Sequence, residues 1–226
     1  MSITTILSIS ESVGINDHRF VGQVYSRNQR ITTAEIQTVV PFEFTMKPMK
    51  YLLYSQNRGV LNNLRVPDKS LEQYLNFGAT GWVNYIAYQG QLTSVQIAAC
   101  QWQTSSANKT LVLGSLPSVS STSYILRVGD IVQVDRYSYY VTADVQRGSG
   151  STVNVSVHRN LIATLTSPVA AVMGQYGTTV AMGGSQYIGV TFPVILKEYP
   201  TYTLIPMTND SFIAWDGNFV AFESVL

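Results

Sequence analysis

The sequence predicts a mainly β protein with a sandwich- or barrel-like core, one or two short helices, and a division into two β subdomains. Three observations carry that expectation. Residues 124–159, YILRVGDIVQVDRYSYYVTADVQRGSGSTVNVSVHR, read as a meander of short strands. In the last of them Val153, Val155 and Val157 alternate with Thr152, Asn154 and Ser156, the period-two pattern of a strand with one buried and one wet face. Turn chemistry punctuates the run at Gly129-Asp130, Asp135-Arg136 and Arg147–Gly150. Nearer the C-terminus, GVTFPVILKEY alternates Val190, Phe192, Val194 and Leu196, and Asp216-Gly217 is a hairpin turn signal.

The other elements follow in order. To about Met46 the chain reads as extended, with alternation at Phe42, Phe44 and Met46. Pro48 suits the first turn of a helix over 48–65, whose apolar face gathers Met49, Leu52, Leu53, Val60, Leu61 and Leu64. A second short helix is expected from Asp68 or Ser70, turning Leu71, Tyr74 and Leu75 inward and closed by Gly78 and Gly81. WVNYIAYQG and VQIAACQWQ read as strands, as does TLVLG. The Ser-rich LPSVSSTS marks a boundary between an N-terminal β-rich domain, 1–116, and a C-terminal region of meander and hairpins, 117–226, packed on it. Residues 165–187 read as a long loop with a hairpin at Met182-Gly183-Gly184. FEFTMKPMKYLLYSQN faintly echoes FPVILKEYPTYTLIPMTN, an echo too short to support a duplication.

Composition narrows the function. Hydrophobic residues make up 46% of the chain, enough for a full core, but charged residues only 12%, against about a quarter in ordinary proteins. The polar surface is therefore built of Ser, Thr, Asn, Gln and 14 tyrosines. Such a surface is cheap to desolvate and suits subunit interfaces, where charge is depleted and aromatics are enriched. A net charge of +1 gives no reason to expect tracking along nucleic acid. The single Cys100 lies among apolar neighbours and reads as a buried, inert thiol. MSITTILSIS has no basic region ahead of its apolar residues, and no apolar run has the length of a transmembrane helix, so a soluble protein made in a cytoplasm is expected.

A search for chemistry returns little. His18 beside Asp17 suggests an oriented base, but neighbours along a strand point to opposite faces. His158 continues the wet face of its strand and is expected to be exposed, and the two histidines have no metal spacing. Gly148–Ser151 joins two strands and opens no helix, so it is a hairpin loop and not a phosphate cradle. Asp130, Asp135 and Asp144 lack the dense acidic loop of a calcium site, and Asp130 and Asp216 sit in turns. No catalytic residue, cofactor or metal is expected, and the chain reads as a non-enzyme.

Three features in order resemble the distal tail and minor tail (baseplate) proteins of tailed bacteriophages. FVGQ at 20–23 followed by FEFTMKPM is similar to the family's opening strands. ILRVGDIVQV followed by SYYVTADVQ is similar to its central meander, on Gly129, Asp130, Gln133, Tyr140, Val141, Asp144 and Val145. SPVAAVMG and then GVTFPVIL resemble its closing loop and strand. The segment after the first helix is longer than the family's connection, and the C-terminal end more elaborate. The resemblance implies a virion structural protein, made in the host cytoplasm. It would form a ring homo-oligomer, with a hexamer as the candidate size, joining the tail tube to baseplate hub or fibre proteins. The N-terminus and the 165–187 loop would serve as arms, and Tyr139, Tyr140, Tyr176, Tyr187 and Trp215 are the candidate interface residues. The rival expectation is a carbohydrate-binding β-sandwich acting as a receptor-binding tail module, with Trp82, Trp102 and Trp215 as a stacking platform.

Overall fold

The computed structural model describes residues 3–17, 21–25, 31–35, 40–65, 71–78, 80–105, 108–177 and 179–225. It is mainly β, with several antiparallel sheets including a curled half-barrel. The expected reading of His18, the helix start at Asp68 or Ser70 and Phe20 of FVGQ lie outside the described residues.

A central antiparallel sheet runs in the order Ser10–Asp17, Phe42–Pro48, Phe219–Glu223, Thr191–Glu198, Gln73–Asn76. Its strands alternate as their sequences demand: Phe42, Phe44 and Met46 are fully buried, as are Phe192, Val194 and Ala221. Phe192 stands at the centre of this core, with its ring centroid 4.9 Å from Phe44, 5.3 Å from Phe42 and 6.0 Å from Phe77. Fully burying one such side chain stabilises the fold by roughly 1.5–3 kcal/mol. The N-terminal residues Ile3, Ile6, Leu7 and Ile9 belong to the same core. This corrects the expectation of an N-terminal arm: an apolar turn, Thr5–Ser8, packs under the sheet.

A second core is built from residues 92–173 and packs around Trp102. It holds the expected strands at Thr110–Gly114, Tyr124–Leu126, Ile131–Val134, Tyr137–Tyr140, Val145–Gln146 and Val153–Ser156. They do not form a meander. Ile131–Val134 and Tyr137–Tyr140 make a hairpin, but Val145–Gln146 pairs back to Tyr124–Leu126, and Val153–Ser156 pairs with Thr110–Gly114. That last pairing crosses a boundary at 116. The cores divide the chain differently, with the second inserted between the strands of the first.

Ile131–Val134 shows how the cores join. All four of its residues are buried: Ile131 reaches the first core, while Val132 and Val134 face the second. Gln133 bridges them, its Oε1 accepting from the Thr191 backbone N–H at 2.8 Å, while the Trp102 indole donates to its carbonyl at 2.8 Å. Gly174 marks the chain's return to the first core. Its φ is +57°, and a Cβ there would lie 2.3 Å from the Ile86 carbonyl oxygen, so glycine alone fits.

Four expected elements differ. The helix is Tyr54–Arg65, because Phe42–Pro48 stays in the sheet to Pro48 and Leu52–Leu53 then forms a short strand. Residues 73–76 are a strand: Leu75 and Phe77, two apart, are both fully buried, while Leu71 is 61% exposed. Val83–Ile86 is a single 3-10 turn. Ser94–Ala99 is a helix, started by a capping box in which Thr93 accepts from the Gln96 backbone and Gln96 from the Thr93 backbone. The 165–187 segment is mostly short strands, with the expected hairpin turn at Gly183 and Gly184, both at positive φ.

Candidate interaction surfaces

The C-terminal strands form one long two-stranded ribbon with a corner in it. The pairing of Thr191–Glu198 with Phe219–Glu223 continues, after a one-residue slip at Leu196/Glu198, as the pairing of Thr201–Pro206 with Ser211–Asp216. Asp216-Gly217 therefore makes no hairpin of its own. It carries one strand around the corner from the central sheet into a projecting arm, opposite Tyr199-Pro200, with Gly217 at a φ of +92°. Aromatic rings fill the bend: Trp215 lies 5.3 Å from Tyr202 and 5.6 Å from Phe219.

Leu52–Leu53 adds a third strand to the arm, and helix Tyr54–Arg65 packs beside it. Phe42–Pro48 and Leu52–Leu53 thus flank the 211–223 strand on one side, as Thr191–Glu198 and Thr201–Pro206 do on the other. The faint sequence echo falls on these two bent segments. The arm tip is tied down by Asp210, which accepts from the Ser55 backbone N–H at 3.1 Å and from its hydroxyl at 2.5 Å. The Ser55 hydroxyl and the Ser211 backbone N–H hold the Asp210 carboxyl below the usual carboxylate range.

The arm carries a group of exposed apolar side chains. Tyr51 is 75% exposed, Ile205 52%, Met207 48% and Leu204 43%. Its outer strand, Thr201–Pro206, is a sheet edge with no charged residue in it, whereas edge strands in monomers are commonly guarded by charge. Tyr51 sits at a φ of +64°, a left-handed conformation costing a side-chain-bearing residue roughly 1–2 kcal/mol. Its ring meets Phe212 nearly perpendicularly at 6.0 Å. Beside it lies a groove of about 480 Å³ bounded by Lys47, Tyr51, Ile205, Phe212, Trp215 and Asn218. Among the described residues the Trp215 indole N–H is buried with no hydrogen-bond partner.

A second apolar group lies away from the arm in the chain. Tyr85 and Val128, 42% and 60% exposed, help line an open concavity of about 500 Å³ with Asn84, Gln89, Arg127 and Gly129. Its loops are pinned from beneath. The fully buried Asp130 accepts from the Gln89 N–H at 2.7 Å and the Arg127 N–H at 2.8 Å. Asp144 accepts from the Val128 N–H at 2.9 Å and pairs with the Arg127 guanidinium at 2.8 Å. These acidic residues hold backbone.

The five candidate interface residues are scattered. Tyr139 is a core residue, 2% exposed, whose hydroxyl accepts from the Ile162 N–H at 3.1 Å. Tyr140 is half-buried against Phe42 and His158. Tyr176 is exposed at the edge of Tyr88, Tyr187 packs on Tyr74, and Trp215 is the only one of the five on the arm. His158, expected to be exposed, is buried. Its Nδ1 accepts from the Tyr140 N–H at 3.0 Å, its own N–H donates to the Tyr140 carbonyl, and Nε2 lies 3.9 Å from Asp17. The strand ends at Ser156, so alternation no longer governs the next residue.

Burial raises the Tyr139 and Tyr140 hydroxyls from 10.0 to about 12. Above pH 10 the unfolded chain releases these protons first, so it binds fewer than the folded chain and stability falls as pH rises. A loss of roughly 2–4 kcal/mol in all is expected between about pH 10 and 12, reduced at the partly exposed Tyr140. Tyr139→Phe should flatten that decline in urea unfolding curves taken across the window; an unchanged slope would mean that other groups cause it.

Among the described residues no helix is long and apolar enough to cross a membrane, and no cluster of three or more His, Cys, Asp or Glu side chains is placed to hold a metal ion. No protein-family model matches this chain, and no curated protein matches it.

Proposed function

We propose that this chain is an oligomeric structural subunit, the ring adaptor that its resemblance to phage distal tail and baseplate proteins implies, joining a tail tube to a host-recognition apparatus. The observation that carries this reading is the pair of separate exposed apolar surfaces, one on the arm and one around Tyr85 and Val128. A closed ring is made by heterologous contacts, and these need two different patches on every subunit. The low charge supports the same reading, since two copies meet with little repulsion and little charge to desolvate.

Purified protein taken through a concentration series should gain mass in steps ending at one closed species, and negative-stain images should show rings with a central hole. A chain that remains monomeric at every concentration, with no ring in any image, would count against self-assembly. The aromatic groove beside Tyr51, Phe212 and Trp215 favours a second reading, a carbohydrate-binding module that stacks a sugar ring on those side chains. A monomer whose tryptophan fluorescence responds to host surface glycans, and loses the response in Tyr51→Ala, would establish that reading instead.

A further inference from the structure

We propose that the two surfaces are the two halves of one contact: the arm tip of one copy, led by Met207, seats in the concavity of the next copy between Tyr85 and Val128. This rests on the ring reading and says which patches close the ring.

Shape comes first. The tip is a narrow turn at the end of a projecting ribbon, and Met207 stands about half exposed on it. The receiving surface is a concavity of about 500 Å³ walled by an aromatic and an aliphatic side chain, each exposed in the single chain. Methionine is the side chain that adapts best to such a wall, and its sulfur packs favourably on an aromatic ring.

Charge points to a second copy as the occupant. Between Glu198 and Asp216 the arm carries one charged residue, Asp210. Among the residues lining the concavity the one charged residue is Arg127. A negative tip and a positive socket on the same chain attract each other between copies. Both charges already have partners, Ser55 and Asp144, so their mutual attraction steers the approach and does not require a new ion pair.

Both halves are also held in shape before they meet. Asp210 ties the tip to helix Tyr54–Arg65, while Asp130 and Asp144 fix the socket loops and the Tyr85 hydroxyl donates to the Val13 carbonyl. Surfaces ordered in advance lose less conformational freedom on association.

Paired cysteines test this directly. Native Cys100 is fully buried, with its thiol pushed up to about 11 by burial, and stays silent. The double variant Met207→Cys/Val128→Cys, mildly oxidised, should give a ladder of dimer, trimer and higher species on a non-reducing gel, ending at the ring size. Neither single variant should give a ladder. Met207→Asp in the full chain should weaken assembly roughly tenfold or more while leaving its unfolding curve unchanged.

Three results would overturn the contact. A dimer from Met207→Cys alone would mean that arms meet each other about a two-fold axis. Rings in negative stain without a ladder would keep the ring reading and remove this contact from it. Monomers with neither ring nor ladder would remove both.

Discussion

Glu223→Ala is expected to destabilise the fold by about 3–5 kcal/mol, the cost of leaving a buried charge without its partner. Arg159 and Glu223 are each fully buried at the side chain and meet through two contacts, at 2.5 and 2.7 Å. Arg159 comes from the end of the inserted segment and Glu223 from the central sheet, so the pair links the two cores. The guanidinium also donates to the Ser138 carbonyl at 2.7 Å and to the Val40 carbonyl, and lies over the rings of Phe42 and Tyr139. Glu223 accepts from the Phe42 N–H at 3.1 Å.

Removing the acid therefore orphans a buried cation and a backbone donor together. Replacing both residues by apolar ones should cost less than either single change, because the ion-desolvation penalty disappears. It should still not be neutral, since the two carbonyls that Arg159 serves lose their donor. Urea unfolding of the two single variants and the double variant measures this. A double variant less stable than both singles would show that the pair contributes more than its desolvation costs.

Trp102→Ala should cost a similar 3–5 kcal/mol. Trp102 is fully buried at the centre of the second core, and its indole N–H satisfies the Gln133 carbonyl at 2.8 Å. Trp102→Phe keeps most of the volume and loses that hydrogen bond, so it should fall about 1–3 kcal/mol below the wild type. Equal losses for the two variants would mean that the hydrogen bond, and not the packing, dominates. Gln133 also receives the Thr191 N–H, so damage at Trp102 should reach the contact between the cores. Faster amide exchange at Thr191 in Trp102→Ala would show it.

The mainly β character was legible because it depends on local alternation. Phe42, Phe44 and Met46, or Val153, Val155 and Val157, announce their faces within five residues. Partners are not announced: Thr110–Gly114 finds Val153–Ser156 across some forty intervening residues, and nothing local selects that pairing over a meander. Two errors had readable signals. Thr93 and Gln96 form a capping box, outvoted by the apolar run that follows, and Leu75 and Phe77 are spaced for a strand while Leu71 and Leu75 suggested a helix.

The candidate surfaces were less legible. Counting tyrosines identifies an aromatic-rich chain without separating core from surface. Tyr137 and Tyr139, two apart in a strand buried on both faces, are core residues. Glu223 had a signal as well, since it shares its strand face with Phe219 and Ala221. The arm had none. It exists because a turn at Asp216-Gly217 coincides with one at Tyr199-Pro200, two positions brought opposite each other only by the pairing itself.

That double turn has a mechanical consequence. A flexible joint needs a place where few bonds cross, but here the 211–223 strand passes the corner unbroken, with hydrogen-bonded ladders on both flanks before and after it. Load applied at Met207 would run as shear through those ladders into the middle strands of the central sheet, with no local hinge to absorb it. The arm is a cantilever built into the body of the molecule, so whatever engages its tip is coupled to the same sheet that Glu223 anchors to the second core.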